Sequence, residues 1–279
     1  MATKIVTDST SDIPQEFVDN LNIKVVPLNV HFGETTYKDG VDISPDEFFE
    51  KLTTGSIFPS TSQPSIGEFV EAYQEIWEGE NEIVSIHISS KLSGTYNSAF
   101  QACKQLEDKI TIHLVDSLHA SMSAGLAVIN AAIAAKEGKS GQECVKIVQD
   151  TLSKSSIYVM LDTLEFLEKG GRIGKARSLL GNILKIKPLL TIESGEIAEF
   201  GKARSRRAGR SKLHQEARRF NPAQRIAVVY STGGEDALKF ANSLEELLPG
   251  QEKPIVSRVG PVIGTHAGPN VIGMAIVAR

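Results

Sequence analysis

Residues 82–106 read EIVSIHISSKLSGTYNSAFQACKQL, and their pattern decides the fold. Glu82–Ser89 is a short, mostly apolar run rich in isoleucine, as expected of a strand buried inside a sheet. Ser90-Lys91-Leu92-Ser93-Gly94 is a polar turn, and a helix is predicted from Thr95 to Leu106. The alternation continues in both directions. Upstream, Lys4–Thr7 reads as a strand ending in the polar turn Asp8-Ser9-Thr10-Ser11-Asp12, with Asp12 or Ser11 as a cap. Pro14 then opens a helix to about Leu21, and Ile23–Val26 and Asn29–Phe32 read as strands. Ser44/Glu47, Ser65/Glu68 and Ser140/Glu143 have the spacing of capping boxes, in which each Ser and Glu satisfy free N–H groups of a first helical turn. The helix from Ser65 carries Phe69, Tyr73, Ile76 and Trp77 on one stripe. Downstream, Ile110–Val115 is a strand and Ser121–Lys136 an alanine-rich helix. Strands alternating with helices predict a parallel sheet covered by helices, a Rossmann-like layer.

The second half has a different texture. Ile157–Leu161 reads as a strand, followed by a helical piece at Leu164–Lys169 that Gly170-Gly171 breaks. Ile186–Ile192 and Glu196–Phe200 flank Ser194-Gly195, a hairpin signal. A basic helix to Phe220, Arg225–Tyr230, a helix over Glu235–Leu248, and strands at Ile255–Val259 and Val271–Val277 follow. The expected class is α/β in two domains. Residues 1–155 form the parallel-sheet domain, and residues 156–279 an α/β domain with a mixed or antiparallel sheet.

Charge divides along the same line. The 279 residues carry a net charge of −4. Residues 1–160 hold 11 lysines, no arginine and 22 acidic residues, whereas residues 161–279 hold 19 lysines and arginines against 12 acidic residues. The densest basic run is Lys202, Arg204, Arg206, Arg207, Arg210 and Lys212. It reads as a solvated helix face, a docking surface for an acidic partner, or a nucleic-acid patch. The acidic chain and the absence of interleaved aromatics argue against nucleic acid. Two cysteines, Cys103 and Cys144, lie far from any ligand-spaced histidine, which argues against a disulfide framework or a zinc site. No apolar leader and no run long enough to span a membrane are present in the sequence, so a cytoplasmic protein is expected.

Three polar stretches are candidates for chemistry: Ser60-Thr61-Ser62-Gln63-Pro64-Ser65, Ser93-Gly94-Thr95, and Gly264-Thr265-His266-Ala267-Gly268-Pro269, each read as a turn. Ligands in α/β folds sit at the C-terminal ends of strands. Ser93 stands between strand and helix, where its hydroxyl and the following N–H groups can converge on an anion. The same geometry serves a plain N-cap. Ser93 and His266 could instead form a hydrolase pair with Asp116 as third member, but the string around Ser93 lacks the leading glycine of a nucleophile elbow. There is no P-loop, and Gly170-Gly171-Arg172-Ile173-Gly174-Lys175 is not a dinucleotide fingerprint. No cofactor and no metal are expected. The residues alone point to a binding protein for a small acidic ligand.

Taken together, these strings resemble the DegV family of bacterial fatty-acid-binding proteins, whose members include the FakB subunit of fatty acid kinase. The resemblance rests on Val6-Thr7-Asp8-Ser9-Thr10-Ser11-Asp12, Thr61-Ser62-Gln63-Pro64-Ser65, Ser93-Gly94-Thr95-Tyr96-Asn97-Ser98-Ala99, Glu168-Lys169-Gly170-Gly171-Arg172-Ile173, Lys187-Pro188 and Gly264-Thr265-His266-Ala267-Gly268-Pro269, in the family's order over essentially the whole chain. One departure is Asn270, where many members carry glycine. The resemblance implies one long-chain fatty acid buried between the domains. Its carboxylate would be held by Thr61, Ser93, the Gly94 N–H and His266, with Ser62, Thr95 and Thr265 as supporting positions. His266 could carry a compensating proton, since an ordinary histidine titrates near neutrality. The resemblance also implies a lipid carrier without catalysis of its own, serving phospholipid metabolism, and a separate FakA-like kinase subunit that phosphorylates the bound carboxylate. Arg172, Lys202, Arg204 and Arg206 are then expected near the pocket mouth, to dock the kinase or meet an anionic membrane surface transiently.

Overall fold

An apolar strand, β1 (Thr3–Asp8), opens the chain. The computed structural model describes residues 2–179, 186–250 and 252–279. A 3-10 turn at Ser9–Ser11 leads to α1 (Gln15–Asn20) and β2 (Lys24–Val26). Next come β3 (Asn29–Phe32), β4 (Thr35–Lys38), α2 (Pro45–Thr54), β5 (Ser60–Ser62) and α3 (Ile66–Ile76). Then follow β6 (Glu82–His87), α4 (Thr95–Leu106) and β7 (Ile112–Asp116). Strands β2-β1-β6-β7 form, in that order, an all-parallel sheet. Successive side chains on its strands point to opposite faces. Val6 and Ile83 meet Phe69, Tyr73, Ala99 and Ala102 of α3 and α4. Ile5, Val84 and Ile86 meet α5 (Met122–Lys136) and α6 (Gly141–Lys154). All three predicted capping boxes form, at the starts of α2, α3 and α6.

Strands β4-β3-β5 form a small antiparallel sheet, and the strands of the second half build a mixed one. The latter are β8 (Ser155–Met160), β9 (Lys187–Glu193), β10 (Glu196–Ala203), β11 (Ala223–Tyr230), β12 (Ile255–Arg258) and β13 (Ile272–Ala278). Between them lie α7 (Glu165–Lys169), a 3-10 turn at Gly174–Leu179, α8 (Arg206–Ala217), α9 (Gly234–Asn242) and α10 (Pro261–Ala267). The sheet order is β10-β9-β8-β13-β11-β12, antiparallel throughout except for β11 with β12. The predicted hairpin at Ser194-Gly195 joins β9 to β10.

Helix α5 explains why its sequence is alanine-rich. Ala127, Val128 and Ala131 pack on the parallel sheet, while Met122, Leu126 and Ile129 pack with Ile157, Val229 and Ala275 of the mixed sheet. A helix apolar all round is a helix buried all round, and small side chains let it sit between two sheets. Ser89, whose N–H donates to the His119 carbonyl just ahead of α5, donates from Oγ to the carbonyl of Gly195 at 2.8 Å, so the β9–β10 hairpin tip rests on the loop after β6.

The structure corrects three local readings and adds one strand. Residues 60–62, taken as part of a polar turn, form β5, which pairs with β3 and places Thr61 opposite Val30. Residues 264–267, also taken as a turn, complete α10. The single helix expected over 235–248 is α9 followed by a separate 3-10 turn at Glu245–Leu247. β4, which pairs with β3, had no apolar alternation to announce it. Among the described residues, no helix is long and apolar enough to cross a membrane.

Candidate functional site

A cavity runs along one face of α10. Val259, Val262, Ile263, His266 and Ala267 line it at the three-and-four spacing of a helical stripe. Opposite them stand alternate residues of the mixed sheet, among them Ile157 and Val159 on β8 and Leu190 and Ile192 on β9. Leu28, Ile88, Leu92 and Ala120 close it from the first half of the chain, and Leu161, Leu167, Ile197, Val229 and Val271 from the second. Nine polar residues complete the lining, and six of them gather at one end: Thr61, Ser62, Gln63, Ser93, Arg172 and His266. The cavity therefore suits a long apolar ligand with one polar head.

At that polar end, His266 Nε2 lies 2.9 Å from Thr61 Oγ1. Its Nδ1 is buried without a hydrogen-bond partner among the described residues. It lies against Gly170, where a Cβ would stand 2.1 Å away. Burial, with the nearby Arg172 guanidinium, pushes the His266 pKa down to about 4. With no carboxylate beside it, the imidazole is therefore neutral at pH 7; the expected compensating proton belongs to the site with a carboxylate in place. A buried lone pair left unpaired on Nδ1 costs less than a buried N–H left unpaired. The favoured tautomer carries its proton on Nε2 and donates to Thr61. The Thr61 hydroxyl is then free to donate into the cavity.

Ser93 sits across the polar end. Its Oγ lies 2.8 Å from Thr95 Oγ1 and accepts from the Thr95 N–H at 3.3 Å. It is thus both a cap and a cavity-lining hydroxyl. Gly94 occupies the N-cap position of α4. Its N–H faces no acceptor among the described residues, as first-turn donors of a helix do. A Cβ at Gly94 would stand 3.0 Å from the Gln63 side chain, so glycine allows the two loops to meet. Arg172 ties the loops together. It donates from Nε to the Leu92 carbonyl at 3.2 Å and from Nη1 to the Gly170 carbonyl at 2.8 Å. It makes no ion pair among the described residues. A hydrolase pair is not formed: Ser93 bonds to Thr95, His266 bonds to Thr61, and Asp116 accepts from the Ser90 and Leu118 N–H groups.

The other singled-out residues fall into place as follows. Ser62 lines the cavity and holds the imidazole of His31 at 3.0 Å. Thr95 is buried under Ser93. Thr265 is buried and donates back to the Pro261 carbonyl at 2.9 Å within α10, so its hydroxyl is committed to the helix. Of the four basic residues expected at the mouth, Arg172 lines the cavity while Lys202, Arg204 and Arg206 do not. Lys202 pairs with Glu199 at 3.7 Å. Arg206 pairs with Asp162 at 3.2 Å and donates to the Asn270 carbonyl at 2.6 Å. Arg204 is exposed. Asn270 has a left-handed φ of 61°, the conformation glycine adopts most easily. Its side chain offsets that strain by bonding to Asp162 and Thr232, each at 3.1 Å.

Sequence reasoning missed Gly170, Gln63, Thr10 and Ser121. The first lay in a glycine-rich string whose partner was invisible without the fold. The last two belong to a buried polar layer beneath the cavity. Asp8 accepts from the Thr10 hydroxyl and N–H, the Ile88 N–H and His87 Nδ1. Through His87 it reaches Ser85 and Tyr73. Asp12 accepts from Ser121 Oγ and from the Gly260 N–H at the start of α10. Asp39 accepts from Ser9 Oγ at 2.8 Å. Burial raises Asp12 well above the usual carboxylate range and Asp39 to about 6.

Comparison with known proteins gives one answer from sequence and from structure. The pattern of the DegV family, described as uncharacterised, matches residues 2–279. A DegV domain-containing protein of Deinococcus radiodurans is 35% identical over 279 residues, covering 99% of this chain and 98% of that protein. A DegV family protein from Thermus thermophilus, described by its fatty acid binding, superposes with a TM-score of 0.90 at 35% identity over the whole of both chains. DegV of Bacillus subtilis, described as a fatty acid binding protein, gives 0.89 at 32% identity, again over both whole chains. A stearic acid-binding protein from Eubacterium ventriosum gives 0.91 at 28% identity, over 99% of this chain and 98% of that one.

Proposed function

The chain belongs to the DegV family, and on that premise we propose that it binds one long-chain fatty acid in the cavity along α10. The observation that carries this reading is the asymmetry of the lining: an apolar wall of leucine, isoleucine and valine, with donors gathered at one end. Each methylene taken from water into such a wall contributes about 0.8 kcal/mol. The carboxylate would lie among the Thr61 and Ser93 hydroxyls and the Gly94 N–H. His266 acts through Thr61, whose hydroxyl it frees by donating to the oxygen. Arg172 adds a positive field from the mouth without a direct ion pair to immobilise the carboxylate. Three relatives of this fold are described as fatty-acid-binding, which supports the same assignment.

The finer role follows from the head group. Held by hydroxyls and N–H groups at the rim, one carboxylate oxygen can be offered to a second protein. A FakA-like, ATP-dependent kinase subunit is the proposed recipient, forming an acyl phosphate. The exposed Arg204 and Lys202, together with Arg172, supply a positive surface for that partner or for an anionic membrane. The protein is then a carrier rather than an enzyme, and the separate hydrogen-bond partners of Ser93 and His266 disfavour an esterase.

The test is solvent extraction of the purified protein followed by mass spectrometry. About one fatty acid per chain is expected. A lipid-free protein that also fails to take up added fatty acid would overturn the assignment.

A further inference from the structure

Resting on the reading that an acyl chain fills the cavity, we propose that Thr10 and Ser121 form a second polar station partway down it, which fits the protein to long-chain fatty acids oxygenated near mid-chain. Both residues line the cavity, yet they are only 1% and 5% exposed. They sit at the opposite end of α10 from His266. Ser121 Oγ bonds to Asp12, and Asp12 Oδ1 accepts from the Gly260 N–H at 2.8 Å, at the very start of that helix. Six residues of helix separate Gly260 from His266, about 9 Å at the helical rise, or about seven methylene groups of an extended chain. Between the two ends the α10 face offers Val262 and Ile263.

The two hydroxyls are held as one unit, because the Ser121 N–H donates to the Thr10 carbonyl at 2.9 Å. Their protons point at carboxylates, Thr10 to Asp8 and Ser121 to Asp12. That leaves oxygen lone pairs as the polar groups available to the cavity. A hydroxyl that donates to a carboxylate is a stronger acceptor for the next donor. Asp8 is itself fixed by the Ile88 N–H at 3.0 Å and His87 at 2.9 Å, so the station is rigid before any ligand arrives. A saturated chain passing here leaves these acceptors unpaired. A chain hydroxyl at the right carbon pairs with them. Against the leucine, isoleucine and valine of the wall the same hydroxyl loses its water and gains nothing; Thr191 on β9 is the one further hydroxyl among the described lining residues. Bracing of the turn after β1 would also account for the Thr10 and Ser121 bonds, but bracing is indifferent to where a ligand carries its hydroxyl.

The experiment is displacement of a fluorescent fatty acid from delipidated protein by octadecanoic acid and by its 4-, 9- and 14-hydroxy derivatives. The 9-hydroxy acid is expected to bind within threefold of octadecanoic acid, and the 4- and 14-hydroxy acids tenfold or more weaker, the scale of one buried polar group left unpaired. Ser121→Ala and Thr10→Val are expected to weaken the 9-hydroxy acid about tenfold while leaving octadecanoic acid within threefold, and Thr10→Ser to keep the wild-type order. Equal penalties for all three hydroxy acids on the wild-type protein would overturn the station while octadecanoic acid binding stood. Failure of every acid to displace the probe would overturn the fatty-acid reading itself. The wild-type series decides the question even where a variant fails to fold.

Discussion

His266 owes its neutrality to its surroundings, and that has a measurable sign. Its pKa falls from 6.5 in the unfolded chain to about 4 in the folded one. Above pH 6.5 both states are neutral and the histidine is silent. As pH falls from 6.5 towards 4, the unfolded chain takes up a proton that the folded chain refuses, and stability is lost. Between pH 7 and 5 the lipid-free wild type is expected to lose about 1–2 kcal/mol relative to His266→Gln. Urea midpoints of both proteins at the two pH values check this, and parallel curves would disprove it. Gly170 is the second residue to test. A Cβ there would stand 2.1 Å from Nδ1, so Gly170→Ala must push the imidazole off Thr61. A loss of fatty-acid affinity of about tenfold, one hydrogen bond to a charged group, is expected with an unchanged circular dichroism spectrum. Thr61, Ser93 and His266 stood out in the sequence because each lies in a polar stretch, and each stretch also matches a family string. Nothing local said that Thr61 and His266 would touch, since 205 residues separate them. Nor could local strings reveal that Arg172 lines the cavity while Arg206 is spent on Asp162.

Elements announced themselves when their chemistry was local. The three capping boxes are contacts between residues three apart, and all three form. The hairpin at Ser194-Gly195 is likewise written in two residues. β5 and α10 were not legible, for a shared reason. Ser60-Thr61-Ser62 has no apolar alternation and becomes a strand only because β3 offers it a ladder. α10 is seven residues long, with glycine at Gly264 and at both flanks. It is held by packing on α2 and on α7. Gly264 fits so closely against α2 that a Cβ would lie 2.7 Å from Phe48 and 2.8 Å from Phe49. Gly264→Ala is expected to lower stability by about 1–3 kcal/mol, the usual range for overpacking. Because α10 carries one whole wall of the cavity, fatty-acid affinity should fall as well. Thermal unfolding and probe displacement on the same sample test both halves, and an unaffected melting temperature would refute the packing argument.

At the scale of the molecule, the sequence showed two textures of charge and two patterns of strands, and both correspond to real sheets. It did not show that α5 would be shared between them, because a helix without a polar face gives no periodic signal to read. The charge asymmetry bears on the proposed kinase partner. Arg204 is exposed and forms no ion pair among the described residues, so Arg204→Glu changes the field without breaking a local contact. Arg206→Glu would also release Asp162 and the Asn270 carbonyl. A drop of about tenfold in acyl-phosphate formation with Arg204→Glu, at unchanged fatty-acid affinity, is the expected outcome of reconstitution with a kinase subunit. An equal rate would remove Arg204 from the docking surface.

The place of β13 in its sheet has a consequence for the order of events during synthesis. Residues 272–278 are synthesised after both β8 and β11, yet they insert between those two strands, in the middle of the sheet. Until then the strands before and after the gap have no common neighbour, and the wall formed by Ile157, Val159 and Val229 has no backing. A nascent chain halted before residue 272 therefore has no closed cavity, and one face of α5 lacks its β13 neighbours Ala275 and Val277. The cavity is therefore completed only once translation has passed through β13.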